Sequence, residues 1–79
     1  MPRVLEAEGF VIYIYLNDHL PAHVHAFRGS FGGDEIVINL LDLSIRENYM
    51  KASDARKALR LVEDYRDFLQ DEWDRINGE

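Results

Sequence analysis

Seven consecutive residues, Phe10 to Leu16 (FVIYIYL), mix β-branched and aromatic side chains without a polar interruption. That composition favours an extended chain. The run is far shorter than the roughly 20 residues that cross a membrane as a helix. Gly9 precedes it, and the turn-forming stretch Asn17-Asp18-His19-Leu20-Pro21 follows. A strand this apolar needs a neighbour on each side, so a sheet must be built around it.

The rest of the chain supplies those neighbours. Strands are expected at about 3–7, 10–16, 22–28 and 34–41, separated by Gly9, by residues 17–21 and by Gly29-Ser30-Phe31-Gly32-Gly33. Residues 43–52 show no periodicity and are expected to be irregular. A helix is expected over about 53–76, with Ser53 as N-cap and Asn77-Gly78 as the stop. Ala55, Leu59, Val62, Leu69, Trp73 and Ile76 recur at helical spacing, and Arg66 interrupts them. Tyr65 and Phe68 widen the apolar arc beyond what one small sheet covers. The predicted fold is α+β: an antiparallel four-stranded meander, order 1-2-3-4, packed on one long C-terminal helix within a single domain, 1–79.

Register follows from the turns. A hairpin closed at 17–21 sets residue 16 opposite 22, 14 opposite 24 and 12 opposite 26. One closed at 29–33 sets 26 opposite 36 and 24 opposite 38. One sheet face then carries Ile12, Ile14, Leu16, Val24, Ala26, Ile36, Ile38 and Leu40, and it should lie under the helix. The other face carries Val11, Tyr13, Tyr15, His23, His25, Phe27, Glu35, Val37 and Asn39, with Tyr15 paired to His23, Tyr13 to His25 and Val11 to Phe27. One helix covers one face, so this second face is expected to be open or covered by another chain, its imidazoles beside the phenols and away from the helix.

Charge narrows the function classes. The net charge of −6 argues against an all-over nucleic-acid footprint. Only Arg46, Lys51, Arg56, Lys57 and Arg60 form a basic island, which leaves nucleic acid a disfavoured partner. The first half of the helix carries Arg56, Lys57 and Arg60 and its last turns Asp71, Glu72 and Asp74, against the helix dipole. A charged partner would offset this. The absence of cysteine suits a reducing compartment and removes the usual thiolate zinc site. The opening Met1-Pro2-Arg3 followed by acidic Glu6 and Glu8 gives no secretory signal. The expected location is the cytoplasm.

Residues 17–25, NDHLPAHVH, are the most distinctive stretch. The pattern Asn-Asp-His-x-Pro-x-His-Val-His, with Met1-Pro2 upstream, the aromatic second strand and a last helix bearing Trp73, resembles the bacterial domain-of-unknown-function 4160 family. Ala22 departs from the second proline that members often carry. The resemblance implies an α+β fold and a gene arrangement that looks like a toxin–antitoxin pair. It implies no activity.

Three readings of the Tyr/His face compete. Tyrosine is enriched at protein interfaces, so Tyr13, Tyr15, Asn17, Asp18, His19, Phe27 and Arg28 are expected to form a binding surface for a second copy or a small protein partner. This interaction module, one half of a toxin–antitoxin-like pair, is the leading expectation. The alternative is a small ribonuclease-like toxin in which His23 and His25 act as acid and base. The third is a divalent metal such as zinc. His23 and His25, two apart on a strand, point the same way, and His19 or Asp18 would add a ligand from the loop. Against these stand plain structural roles: Tyr–His hydrogen bonds across strands, an Asx-turn at Asp18, strand entry at Pro21, and Phe31 tucked against a sheet edge.

Overall fold

The expected turns divide the chain, and five strands result rather than four. The computed structural model describes residues 2–78; Met1 and Glu79, the ends of the predicted domain, lie outside them. The elements are β1 (Arg3–Ala7), β2 (Phe10–Tyr13), β3 (His23–Arg28), β4 (Glu35–Asn39), β5 (Ile45–Asn48), α1 (Ala52–Asp64) and α2 (Arg66–Asn77). The strands form one antiparallel sheet in the order β1-β2-β3-β4-β5. Glu8 (φ 55°) and Gly9 (φ 86°) make the two-residue link between β1 and β2, whose ends pair as Ala7 with Phe10. Positive φ at both loop residues is what a tight hairpin of this hand requires.

The predicted register holds where it can be checked. Ile12 lies opposite Ala26, Tyr13 opposite His25, Val11 opposite Phe27, Ala26 opposite Ile36 and Val24 opposite Ile38. Ile12, Ile14, Val24, Ala26, Ile36, Ile38 and Leu40 are buried in one cluster with Met50, Ala55, Ala58, Leu61, Val62, Leu69 and Trp73. Each fully buried large aliphatic side chain contributes roughly 1.5–3 kcal/mol, which is how a cysteine-free chain of this size holds together.

Four expectations need correction. The first concerns β5, which lies in the stretch expected to be irregular. Its four residues, Ile-Arg-Glu-Asn, are all exposed and carry no apolar alternation. Backbone pairing to β4 makes it a strand, and the Asp42 carboxylate shapes its turn by accepting bonds from the Ser44 N–H (3.0 Å) and hydroxyl (2.7 Å).

Second, β2 ends at Tyr13 and not at residue 16. The chain leaves the sheet, Asn17 turns with φ 61°, and Leu16 is 65% exposed instead of lying under the helix.

Third, the helix starts at Ala52 with extended Lys51 before it, so Ser53 sits in the first turn and is not the cap. The helix is also divided at Tyr65 (φ −107°, ψ 20°), although the bonds from the Tyr65 N–H to Leu61 and from the Leu69 N–H to Tyr65 carry the helical pattern across the bend. Arg66, just past the bend, donates to the Leu41 carbonyl in the β4–β5 turn. Tyr65 and Phe68 stay 41% and 43% exposed, beyond the reach of the sheet.

Fourth, the second sheet face is largely closed from within the chain. Val11, His23, Phe27 and Val37 are all buried there. Phe31 folds over this face rather than against an edge, its ring 5.0 Å from those of both Tyr13 and Phe27. No helix among the described residues is long and apolar enough to cross a membrane.

Candidate functional site

Period-two alternation on β3 sends His23 and His25 to the same face, and their ring centroids lie 5.2 Å apart. The loop between β2 and β3 then brings Asp18 back over them. Two contacts fix that residue. Its N–H donates to the Asn77 side chain at the end of α2 (3.2 Å), and its Oδ1 accepts the His19 N–H (3.0 Å). Its second oxygen, Oδ2, stands 2.9 Å from His23 Nε2 and 3.5 Å from His25 Nε2.

The far sides of both imidazoles are held. His25 Nδ1 lies 2.7 Å from Glu35 Oε2. Glu35 pairs with Phe27, one diagonal step from His25 across the β3–β4 ladder. His23 Nδ1 lies 2.8 Å from the Pro21 carbonyl and 2.7 Å from Arg46 Nη1. The His23 ring is only 4% exposed and packs 5.3 Å from Trp73, while Tyr15 packs 4.5 Å from His25.

Asp18 Oδ2 and His25 Nε2 are buried and make no hydrogen bond among the described residues. At 2.9 Å the Asp18 carboxylate and the His23 imidazole form an ion pair whenever that ring is protonated, although the contact falls short of hydrogen-bond geometry. Each unsatisfied buried polar atom costs about 1–3 kcal/mol. Native proteins rarely keep such atoms without a use for them.

Electrostatics agree with an ionised carboxylate here. Burial pushes the Asp18 carboxyl up. The His19 N–H and the neighbouring His23 and His25 imidazoles outweigh that and hold it below its ordinary value. Tyr15 moves the other way: burial first, then the negative charges of Glu35, Tyr13 and Asp18, raise its phenol and keep it protonated.

One ligand atom from each of Asp18, His23 and His25 lies within 4.8 Å of the other two. Donor atoms around an ion with bonds of about 2.0–2.1 Å stand roughly 3.0–3.4 Å apart, so closure needs shifts of an ångström or so. The arrangement is two imidazoles and one carboxylate, each imidazole backed by an oxygen acceptor on its other nitrogen. Metal-binding histidines are oriented in this way.

Other sequence-predicted residues fall elsewhere. His19 is exposed on the rim of the cleft and contributes its backbone, not its ring, to Asp18. Of the two loop residues offered as a third ligand, Asp18 and not His19 brings its side chain to the two imidazoles. The expected Tyr15–His23 pair does not form, because the chain leaves the strand after Tyr13 and the Tyr15 ring falls on His25. His23 faces Trp73, so one imidazole is not turned away from the helix. Tyr13 and Phe27 belong to the aromatic cluster under Phe31. Asn17 borders an adjoining cleft with Leu20, Trp73 and Asn77, and Asp18 lines both. Arg28 sits at the opposite end of β3, donating to the Gly9 carbonyl (2.9 Å) and lying 3.6 Å from Asp54. Of the basic island, Arg46 alone reaches the cleft; Lys51, Arg56, Lys57 and Arg60 are exposed on or before α1.

Sequence reasoning placed Glu35 on the right face without giving it a role, and it counted Arg46 only as a nucleic-acid contact. The signal for Glu35 was present: a residue diagonal to a strand histidine is within side-chain reach.

A family model described as Domain of unknown function (DUF4160) matches residues 9–74. No curated protein and no solved structure matches the chain.

Proposed function

The chain belongs to the DUF4160 family, whose description carries no activity, and we propose that its own residues make it a divalent-metal-binding domain with Asp18, His23 and His25 as ligands. One observation carries this reading. Asp18 Oδ2 and His25 Nε2, both buried and without a hydrogen bond, converge with His23 Nε2, while both Nδ1 atoms are held from behind. A proton shared between carboxylate and imidazole satisfies one such contact at a time. An ion satisfies all three.

The donor set favours a borderline ion such as zinc or iron(II) over calcium or magnesium, which take oxygen ligands. Three protein ligands leave coordination positions free, the pattern of catalytic rather than structural zinc. A metal held in this way supplies a bound water made more acidic than in bulk.

Titration of the chelator-treated protein with zinc should give one ion per chain, unchanged by His19→Ala, because the His19 ring lies outside the ligand group. Absence of binding, or its loss with His19→Ala, would sink the assignment.

The acid–base nuclease reading gains less support: Arg28 is held at the far end of β3, and the Asp18 carboxylate stands 2.9 and 3.5 Å from the two Nε2 atoms that would exchange protons with a substrate. The interaction role, with a second copy or a small protein partner, stands as a second proposal. It is supported by Leu16 and Leu20, 65% and 77% exposed on the loop that carries Asp18. Sedimentation velocity at rising concentration should show self-association that Leu20→Asp abolishes. A monomer at every concentration removes the dimer.

A further inference from the structure

We propose that Arg46 and the open side of the Asp18–His23–His25 metal together hold an oxyanion, a phosphate or carboxylate end group; this rests on the metal reading above. The starting point is a conflict at one atom. His23 Nδ1 has Pro21 O at 2.8 Å and Arg46 Nη1 at 2.7 Å. Carrying a hydrogen, it donates to Pro21; carrying a lone pair, it accepts from Arg46. It cannot do both.

A metal on Nε2 decides the matter. The ion takes the Nε2 lone pair, and the neutral ring then carries its hydrogen on Nδ1. That hydrogen suits the Pro21 carbonyl. It also faces the N–H of a guanidinium, so Arg46 loses its acceptor and must turn away. Room exists for this, since Arg46 lies on the fully exposed edge strand β5. No carboxylate of the described residues lies within 4.0 Å of it to take its place in the ion pairs.

The released guanidinium stands on the wall of the cleft in front of the triad, with His19, Val37 and Glu47. The cleft holds about 170 Å³. Pockets for whole small molecules run from about 300 to 1,000 Å³, so this one takes the end of a ligand and leaves the rest outside. Net charge does not select the ligand. A divalent ion and Arg46 bring three positive charges against the three negative ones of Asp18, Glu35 and Glu47. Directed contacts select it instead: an open coordination position and a planar fork of N–H donors, which matches carboxylate and phosphate oxygens.

The test uses the full chain loaded with cobalt(II), whose visible spectrum reports a change of ligand. Sodium phosphate and sodium acetate are titrated separately into wild type and Arg46→Met. Expected is saturable binding of at least one anion by wild type. Arg46→Met should weaken it tenfold or more while binding cobalt as tightly or more tightly, since the competing contact on His23 is gone. A response to phosphate alone assigns a phosphate group, to acetate alone a carboxylate, and to both the shared chemistry. An anion bound equally well by Arg46→Met, or no anion bound by the cobalt-loaded wild type, overturns the proposal. Failure of the metal reading shows itself earlier, as cobalt that never binds.

Discussion

Alanine at His25 is expected to weaken zinc binding by more than the roughly 10–100-fold that loss of an outer contact to a ligand costs. Glu35→Gln, which disturbs only the partner of His25 Nδ1, is expected to fall within that range. The order follows from the geometry: His25 Nε2 faces the ion, and Glu35 touches the opposite nitrogen at 2.7 Å. His25 is the preferred ligand to remove, because His23 also packs against Trp73 and its loss would disturb the core. The effect on stability is larger still. A ligand present at a thousand times its dissociation constant adds about 4 kcal/mol to the folded state. In a domain this small, each kcal/mol moves the melting temperature by about 4–8 °C, so zinc should raise it by roughly 15–30 °C in wild type and hardly at all in His25→Ala.

The comparison made with chelator present should run the other way. Without metal, His25 Nε2 is a buried atom with no hydrogen bond, and removing it relieves a cost of about 1–3 kcal/mol, which the lost contacts with Glu35 and Asp18 offset. His25→Ala should therefore be nearly neutral in chelator and strongly destabilised relative to wild type in zinc. Calorimetry of both proteins in both conditions checks this. Equal melting temperatures for wild type with and without zinc would remove the metal, and an equal loss in both conditions would make His25 a purely structural residue.

The parts of the site that were legible in the sequence are those fixed by local periodicity. Alternation along β3 put His23 and His25 on one face, and turn positions gave Tyr13 opposite His25 and Ala26 opposite Ile36. Asp18 shows why the rest was hidden. Its carboxylate is aimed by the left-handed turn at Asn17 and by a bond to Asn77, 59 residues further along. No local pattern encodes a loop tied to the far end of the last helix. The fifth strand was hidden for a different reason: its side chains are all exposed, so its pairing is a property of the β4 backbone and left no apolar signature. The closed second face turned on Phe31, a residue at a glycine-flanked turn whose side chain had two surfaces within reach.

The same dependence of site on helix makes Trp73→Ala the most damaging single substitution expected in this chain. Trp73 is buried in the core cluster from α2, and large aromatic-to-alanine changes in cores cost about 3–5 kcal/mol. A domain of this length has only about 4–12 kcal/mol to lose. Leu69 and Trp73 are the only buried residues of α2, so the substitution removes half of what seats that helix. Asn77 rides on the same helix, and its side chain receives the Asp18 N–H. Undocking α2 therefore releases the loop that carries the carboxylate ligand. Urea unfolding in chelator should show Trp73→Ala less stable than wild type by about 3–5 kcal/mol, with Trp73→Phe retaining most of the stability. Zinc should shift the unfolding midpoint of Trp73→Ala upward, because an ion that needs Asp18 in place favours the state in which α2 is seated. A Trp73→Ala protein as stable as wild type in chelator would mean that α2 does not pack through this ring. A zinc shift that survives in the double variant with Asp18→Ala would mean that the carboxylate does not couple the helix to the metal.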